Sequence, residues 1–166
     1  MQEDEVYLLV KDWLQDRGWK ILGGEPPNGT NVIPRLYIKD ANYQGKGSKG
    51  SKKIDIVTYK NGYFLLIEVK PTRSRSDEKK LNEIVSEKKW REAFINALKE
   101  RRSFPEGALA EETYVEQKTY LVKTLAYDIR REEPLDDFIH IFVNPLGEIS
   151  ISFGYQISQE IRALFR

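Results

Sequence analysis

Two apolar runs joined by an Asn-Gly pair dominate the hydrophobic pattern in the first half of the chain. The runs cover residues 54–59 and 63–69 and are rich in β-branched and aromatic side chains, which is typical of strands. Asn61-Gly62 between them is the preferred sequence of a two-residue type I′ turn. The pattern therefore predicts a β-hairpin over residues 53–70.

The two-residue turn also fixes which residues of the predicted hairpin face one another. Counting outward from the turn gives five facing pairs, namely Lys60 with Tyr63, Tyr59 with Phe64, Val57 with Leu66, Asp55 with Glu68, and Lys53 with Lys70. Side chains alternate along a strand, so the last four pairs share one face. That face is expected to be apolar near the turn and charged at its open end.

The opposed carboxylates of Asp55 and Glu68 are unusual on a partly buried strand pair, because like charges that face each other are destabilising. A divalent cation between them would remove the conflict. Mg²⁺ is typically held by one or two carboxylates together with waters and substrate phosphates. The lysines beside the pair indicate an anionic substrate. The alternative is an ion-pair network of Asp55, Glu68 and Lys70 on an exposed sheet.

The rest of the pattern predicts an alternation of helices and strands. Helices are expected at residues 2–18, about 76–102 and 157–165. Strands are expected at 19–22, 31–39, 138–143 and 149–153, whereas 120–127 fits either a strand or a helix. The apolar stripe of the long helix shifts near Lys88, which predicts either a bend or a helix buried on two sides. Lys88 is expected to lie along the surface, and the alternative is that it points at the carboxylate pair. We expect a single α/β domain covering residues 1–166.

Composition excludes several classes of function. The chain has no Cys, which rules out disulfides, thiolate nucleophiles and thiolate zinc sites. Its one His, His140, lies in an apolar run and is expected to be a buried strand residue. No apolar run approaches the roughly 20 residues of a membrane span, and the acidic start does not resemble a signal peptide. These features predict a cytoplasmic protein without a membrane partner.

Charge is divided unevenly along the chain, although the net charge is only +1. Residues 39–91 contain 14 Lys or Arg against 7 Asp or Glu, and the remaining residues contain 13 against 19. The half with the hairpin therefore has the basic excess of a polyanion-binding face. The residues expected to contact phosphates are Lys46, Lys49, Lys52, Lys53, Arg73 and Arg75. For the Gly-, Ser- and Lys-rich stretch 40–53, a solvated linker is the alternative.

Asp55 in KIDIV and Glu68-Val69-Lys70 in LLIEVK resemble the motif of the PD-(D/E)xK nuclease superfamily. Ile54 stands where the motif has Pro. The predicted order of elements over about residues 2–127 is similar as well. The resemblance implies an α/β fold with a restriction-endonuclease-like core, in which helices flank a mixed central sheet of about four to five strands.

The resemblance also implies a metal-dependent endonuclease that hydrolyses phosphodiester bonds. Asp55, Glu68 and the backbone carbonyl of Val69 would hold Mg²⁺, for which Mn²⁺ is expected to substitute. Glu3 or Glu5, in the first helix, would ligate the ion or support its ligands. The alternative for these two acids is that they complement the helix dipole. The expected substrate is DNA, although the sequence does not distinguish DNA from RNA.

Lys70 would orient and help deprotonate the attacking water, or stabilise charge in the transition state. A homodimer is expected if the enzyme cuts both strands of a duplex. One alternative is a nuclease-fold subunit that binds nucleic acid without cleaving it, and another is a small structural α/β protein. The intact set of Asp55, Glu68 and Lys70 favours the enzyme.

Overall fold

A mixed six-stranded sheet forms the centre of the computed structural model, which describes residues 1–27, 32–42, 50–70, 75–128 and 134–166. In spatial order its strands are β1 (Lys20–Gly24), β4 (Ile56–Lys60), β5 (Tyr63–Val69), β6 (Leu121–Tyr127), β7 (Phe138–Val143) and β8 (Ile149–Phe153). A separate two-stranded sheet pairs β2 (Tyr37–Lys39) with β3 (Ser51–Lys53). The β5–β6 and β6–β7 pairs are parallel and the others antiparallel. The predicted α/β class with a mixed sheet is confirmed, with more strands than expected.

Helices cover both faces of the central sheet. They are α1 (Glu3–Asp16), α2 (Arg75–Ser86), α3 (Lys88–Glu100), α4 (Glu111–Glu116) and α5 (Gln159–Ala163). The apolar side chains of α1 and α5 join one buried cluster, and those of α2, α3 and α4 join another. Within the described residues, no helix combines the length and apolar character needed to cross a lipid bilayer.

Strand β5 supplies side chains to both cores because successive residues point to opposite faces. Phe64 and Leu66 belong to the cluster with α2 and α3, whereas Leu65 and Ile67 belong to the cluster with α1. Glu68 follows in the same alternation as Phe64 and Leu66. The carboxylate therefore emerges on the face that α2 covers.

The predicted register near the turn is confirmed. Lys60 pairs with Tyr63, and the ladder continues from there to its last pair, Ile56 with Ile67. Asn61 and Gly62 have φ values of +48° and +91°, the positive values that a type I′ turn requires at both central positions.

The predicted extension of the hairpin to Lys53 and Lys70 is wrong. Lys53 pairs with Tyr37 in the small sheet, so it does not face Lys70. The chain leaves the central sheet at Ile54 and Asp55, and the N–H of Glu25 donates hydrogen bonds to both of their carbonyls, at 2.9 and 3.1 Å. A count of alternating residues assumes an unbroken strand, and it fails where the strand changes sheets.

Other predictions concern the helices and the outer strands. The long helix is broken at Glu87, which has extended backbone angles, and Lys88 lies at the surface with an ion pair to Glu116. The ambiguous stretch 120–127 contains strand β6, and the strands expected at 138–143 and 149–153 are β7 and β8, which pair as an antiparallel hairpin. Of the strand expected at residues 31–39, only β2 forms, and residue 31 lies outside the described residues.

His140 is buried as expected. Its ring contacts the hydroxyl of Tyr127 through Nδ1, and its Nε2 accepts a hydrogen bond from the N–H of Leu135 at 3.1 Å. Both ring nitrogens are therefore used inside the fold. The expectation of a structural histidine is confirmed.

Candidate active site at the open end of the hairpin

Two carboxylates meet where the β4–β5 ladder ends. Asp55 lies one residue before β4, and its Oδ2 accepts a hydrogen bond from the backbone N–H of Val69 at 2.7 Å. Glu68 is 2% exposed, and Asp55 lies close enough to act on the pKa of its carboxyl. Asp55 and Glu68 therefore come close to each other just beyond the last ladder pair, Ile56 with Ile67, and their joint role in a site stays a prediction.

The environment of Glu68 strongly disfavours its charged form. Burial is the largest cause, the neighbouring Asp55 is the next, and together they raise the pKa of Glu68 to about 10. The ammonium of Lys80 opposes this shift without cancelling it. Glu68 therefore keeps a proton at neutral pH unless a cation replaces that proton.

Lys80 and Asp77 on α2 belong to this site, and the sequence reasoning missed both. The ammonium of Lys80 contacts Oε1 of Glu68, and the buried Asp77 attracts the ammonium of Lys70 and helps to raise its pKa. A signal was present, because Asp77 lies four residues before Leu81, and Lys80 four before Ile84, on the buried side of the helix. Polar residues at such positions face the core rather than solvent.

Lys70 lies at the rim of the site. Its Nζ is 3.7 Å from Oε1 of Glu3, the first residue of α1. Partial burial acts to lower the pKa of Lys70, but the combined attraction of Glu3, Asp55, Asp77 and Glu68 outweighs it and raises this pKa above the usual value. Lys70 is accordingly a charged ammonium at neutral pH.

The two acids proposed from the first helix have different surroundings. Glu3 reaches Lys70, whereas Glu5 accepts a hydrogen bond from the N–H of Gln2 at 3.0 Å and so completes a capping box. Glu5 thus has a structural partner at the start of the helix. The role of Glu3 as a metal ligand stays a prediction.

Three residues outside the motif hold the backbone of Asp55. The hydroxyl of Tyr7 donates a hydrogen bond to the carbonyl of Asp55 at 3.0 Å. The N–H of Glu25, the residue after β1, donates to that same oxygen, and a Cβ on Gly24, the last residue of β1, would overlap it. Only glycine permits such an approach. Helix α1 and strand β1 therefore fix the position of Asp55 from two sides.

The donor chemistry of the Asp55–Glu68 pair fits a hard divalent cation. No group of three His, Cys, Asp or Glu side chains within the described ranges is arranged to hold a metal ion. Mg²⁺ is often bound by one or two carboxylates, with waters and substrate phosphates as the other ligands. The pair and the carbonyl of Val69 suit that kind of site, in which the protein contributes few ligands.

The basic residues predicted to bind phosphate divide into two groups. Lys46, Lys49 and Arg73 lie outside the described residues, and Arg75 is the first residue of α2. The other two, Lys52 and Lys53, lie on β3 and line a surface cleft shared with α2.

No family model, curated protein or solved structure matches this chain.

Proposed function

We propose that this chain is a metal-dependent endonuclease of the PD-(D/E)xK type, with DNA as the expected substrate. The observation that carries the proposal is the proximity of Asp55 to the buried carboxyl of Glu68, with Lys70 at the rim of the site. A fold that needed only stability gains nothing from placing a second acid beside the buried Glu68, since Asp55 raises the cost of charging it. Mg²⁺ or its substitute Mn²⁺, held by these acids, would remove that conflict.

The proposed reaction is hydrolysis of a phosphodiester. The oxygen of a water forms a bond to phosphorus, the bond from phosphorus to the leaving oxygen breaks, and the water proton passes to solvent while the leaving oxygen gains one. The bound cation would lower the pKa of the water and neutralise charge on the phosphate. Asp55 and Glu68, with the Val69 carbonyl, would hold that cation, and the Val69 N–H would keep Asp55 oriented.

The surroundings of Lys70 favour one of its two expected roles. A general base must be able to accept a proton, but the acids around Lys70 raise its pKa and keep it protonated. A positioned ammonium instead stabilises the negative charge that develops on the phosphate oxygens. We therefore assign charge stabilisation to Lys70, with Glu3 as the carboxylate that positions it.

Cleavage assays on plasmid, single-stranded, branched and RNA substrates with Mg²⁺ or Mn²⁺ test the proposal. Asp55→Asn and Glu68→Gln keep the shape of each side chain but remove its charge, so we expect each to lower cleavage by about 10³-fold or more. Glu116→Gln is the matched control, because Glu116 is paired with Lys88 at the surface, and it should cleave normally. Unchanged cleavage by Glu68→Gln would refute the mechanism.

A nucleic-acid-binding subunit without cleavage activity is the second candidate. The observation in its favour is that Lys80 already supplies a positive charge to Glu68, so a resident ammonium could take the place of a metal. This candidate predicts binding without cleavage in every metal tested, and Asp55→Asn should bind as the unmodified protein does. Metal-dependent cleavage that is lost in Asp55→Asn excludes it.

A further inference from the structure

A basic cleft opens beside the carboxylate pair, between β3 and α2. Its lining includes four lysines and one acid, and the lining residues are Ser51, Lys52, Lys53, Ser76, Lys79, Lys80 and Glu83. Lys80 belongs to this lining and also contacts Glu68. The cleft therefore leads directly to the proposed active site.

Two of the four lysines are held by internal acids. Lys52, only 18% exposed, forms an ion pair with Glu83 at 2.7 Å, and its ammonium lies 4.7 Å from the centroid of the Trp90 ring. The hydrogen bond from Lys52 holds the pKa of Glu83 below its usual value. Lys80, 28% exposed, is paired with Glu68. The charge of Lys52 is thus balanced by Glu83, and the ammonium of Lys80 is directed at Glu68 inside the site.

The other two lysines present their charge to solvent. Lys53 and Lys79 are exposed and form no ion pair within the part of the chain that the structure describes. Lys53 is kept in place by the ring of Tyr37, whose centroid is 5.2 Å from its Nζ. One cation therefore stands on each side of the cleft, from β3 and from α2.

We propose that this cleft binds the phosphodiester backbone of nucleic acid without regard to base sequence, through Lys53 and Lys79, while Glu83 limits the affinity by holding Lys52. The proposal rests on the proposed function for the identity of the ligand. Ammonium groups bind phosphate as point charges, and contacts to phosphate fix position on the nucleic acid without reading bases. The acid in the cleft repels the same ligand, and its pairing with Lys52 removes a potential phosphate contact.

Fluorescence anisotropy in EDTA, with two labelled 20-base-pair DNA duplexes of unrelated sequence and a NaCl series, tests the lysines. We expect Lys53→Gln and Lys79→Gln each to weaken binding about threefold or more, and to reduce the slope of log affinity against log salt by about 0.7–0.9. Both duplexes should bind equally. Lys118→Gln is the control, because Lys118 is exposed before β6, whose Leu121 pairs with Phe64 at the far end of β5.

The acid gives the sharper test. Glu83→Gln should strengthen binding about threefold or more and steepen the salt slope by about one contact, because Lys52 becomes available to phosphate. Glu111→Gln, which removes the same charge from the ion pair with Lys99, should change neither quantity. Equal gains in Glu83→Gln and Glu111→Gln would reduce the effect to net charge and overturn this part of the proposal.

The failure of this proposal can be told apart from failure of the nuclease proposal. Binding is measured without metal, so a protein that binds through the cleft but never cleaves retains this inference and loses the enzyme. A protein that cleaves, but whose Lys53→Gln and Lys79→Gln variants bind with unchanged salt slopes, loses only the cleft. A strong preference for one duplex sequence would contradict binding without regard to sequence.

Discussion

The two ends of the β4–β5 hairpin are built on opposite principles. At the turn, Phe64 is fully buried among aromatic rings, with the centroids of Tyr114 and Phe94 at 4.9 and 5.4 Å. The hydroxyl of Tyr114 donates to the carbonyl of Gly62 at 2.8 Å and accepts from the N–H of Leu109 at 3.1 Å. Apolar area is buried there and the polar groups are hydrogen-bonded, so this end stabilises the fold.

The open end, four residues further along β5, carries a cost. Glu68 is as buried as its apolar neighbours, yet its closest partners include another acid, and the strand that should continue the ladder turns away to a second sheet. One strand thus combines a stabilising end with an end whose charges conflict. The comparison teaches that the aromatic end can maintain the fold while the acidic end remains available for chemistry.

The largest change in stability should follow from opening a cavity at the turn end. Phe64→Ala removes a fully buried ring and should lower the free energy of unfolding by about 3–5 kcal/mol. Urea unfolding in EDTA measures the change. Leu146→Ala is the control, because Leu146 is 83% exposed and its truncation should cost little. A loss below about 1 kcal/mol for Phe64→Ala would contradict the role given to the turn end.

The opposite sign is expected at the open end. In the metal-free protein, Glu68→Gln should raise the free energy of unfolding by about 1–3 kcal/mol near neutral pH, since it removes a buried acid opposed by Asp55. Below the unfolded pKa of a Glu, both folded and unfolded wild-type chains carry the proton, so the variant gains little there. The gain comes only when the unfolded chain ionises and the folded chain does not.

The pH dependence follows from that sign. The folded pKa of Glu68, about 10, lies above its unfolded value, so this group contributes stability at low pH and loses it as pH rises toward 10. The advantage of Glu68→Gln over wild type should therefore grow between about pH 5 and about pH 9, measured by urea unfolding in EDTA. The surface variant Glu116→Gln should show no such growth. A difference independent of pH would contradict the assigned environment.

The smallest expected loss of stability comes from removing one tyrosine hydroxyl, and it allows the two ends of the hairpin to be compared directly. Tyr114→Phe and Tyr7→Phe each remove one hydroxyl that donates to a backbone carbonyl, that of Gly62 or of Asp55, and each should cost about 1–2 kcal/mol in unfolding free energy. Only Tyr7→Phe loosens Asp55, so only it should also slow cleavage, by about tenfold. Equal cleavage rates in both variants, measured well below their melting temperatures, would contradict the link from Tyr7 to the site.

The local sequence pattern was sufficient to predict part of this fold. The Asn-Gly turn fixes φ at two residues, and alternation then dictates the register as far as Ile56, which is why the meeting of Asp55 and Glu68 could be predicted. Alternation does not indicate where a strand leaves its sheet, so the position of Lys53 could not be predicted from the sequence. Parallel pairing of β5 with β6 joins residues more than 50 positions apart, and no local signal encodes it.

The remaining site residues depend on packing between elements. Lys80 and Asp77 reach the site only because α2 covers one particular face of β5, and the sequence does not specify which face. The contacts of Tyr7 and Gly24 with the Asp55 carbonyl likewise depend on α1 and β1 meeting at Asp55. The phosphate contacts expected of Lys46, Lys49 and Arg73 stay predictions.

Gly24 shows that the site depends on a residue outside the motif. This residue has no functional group, yet its missing methyl is what lets β1 lie against the Asp55 carbonyl. A hairpin that carried only the three motif residues would lack this close approach to the Asp55 carbonyl. A transplanted site would therefore have to include the edge strand as well as the hairpin.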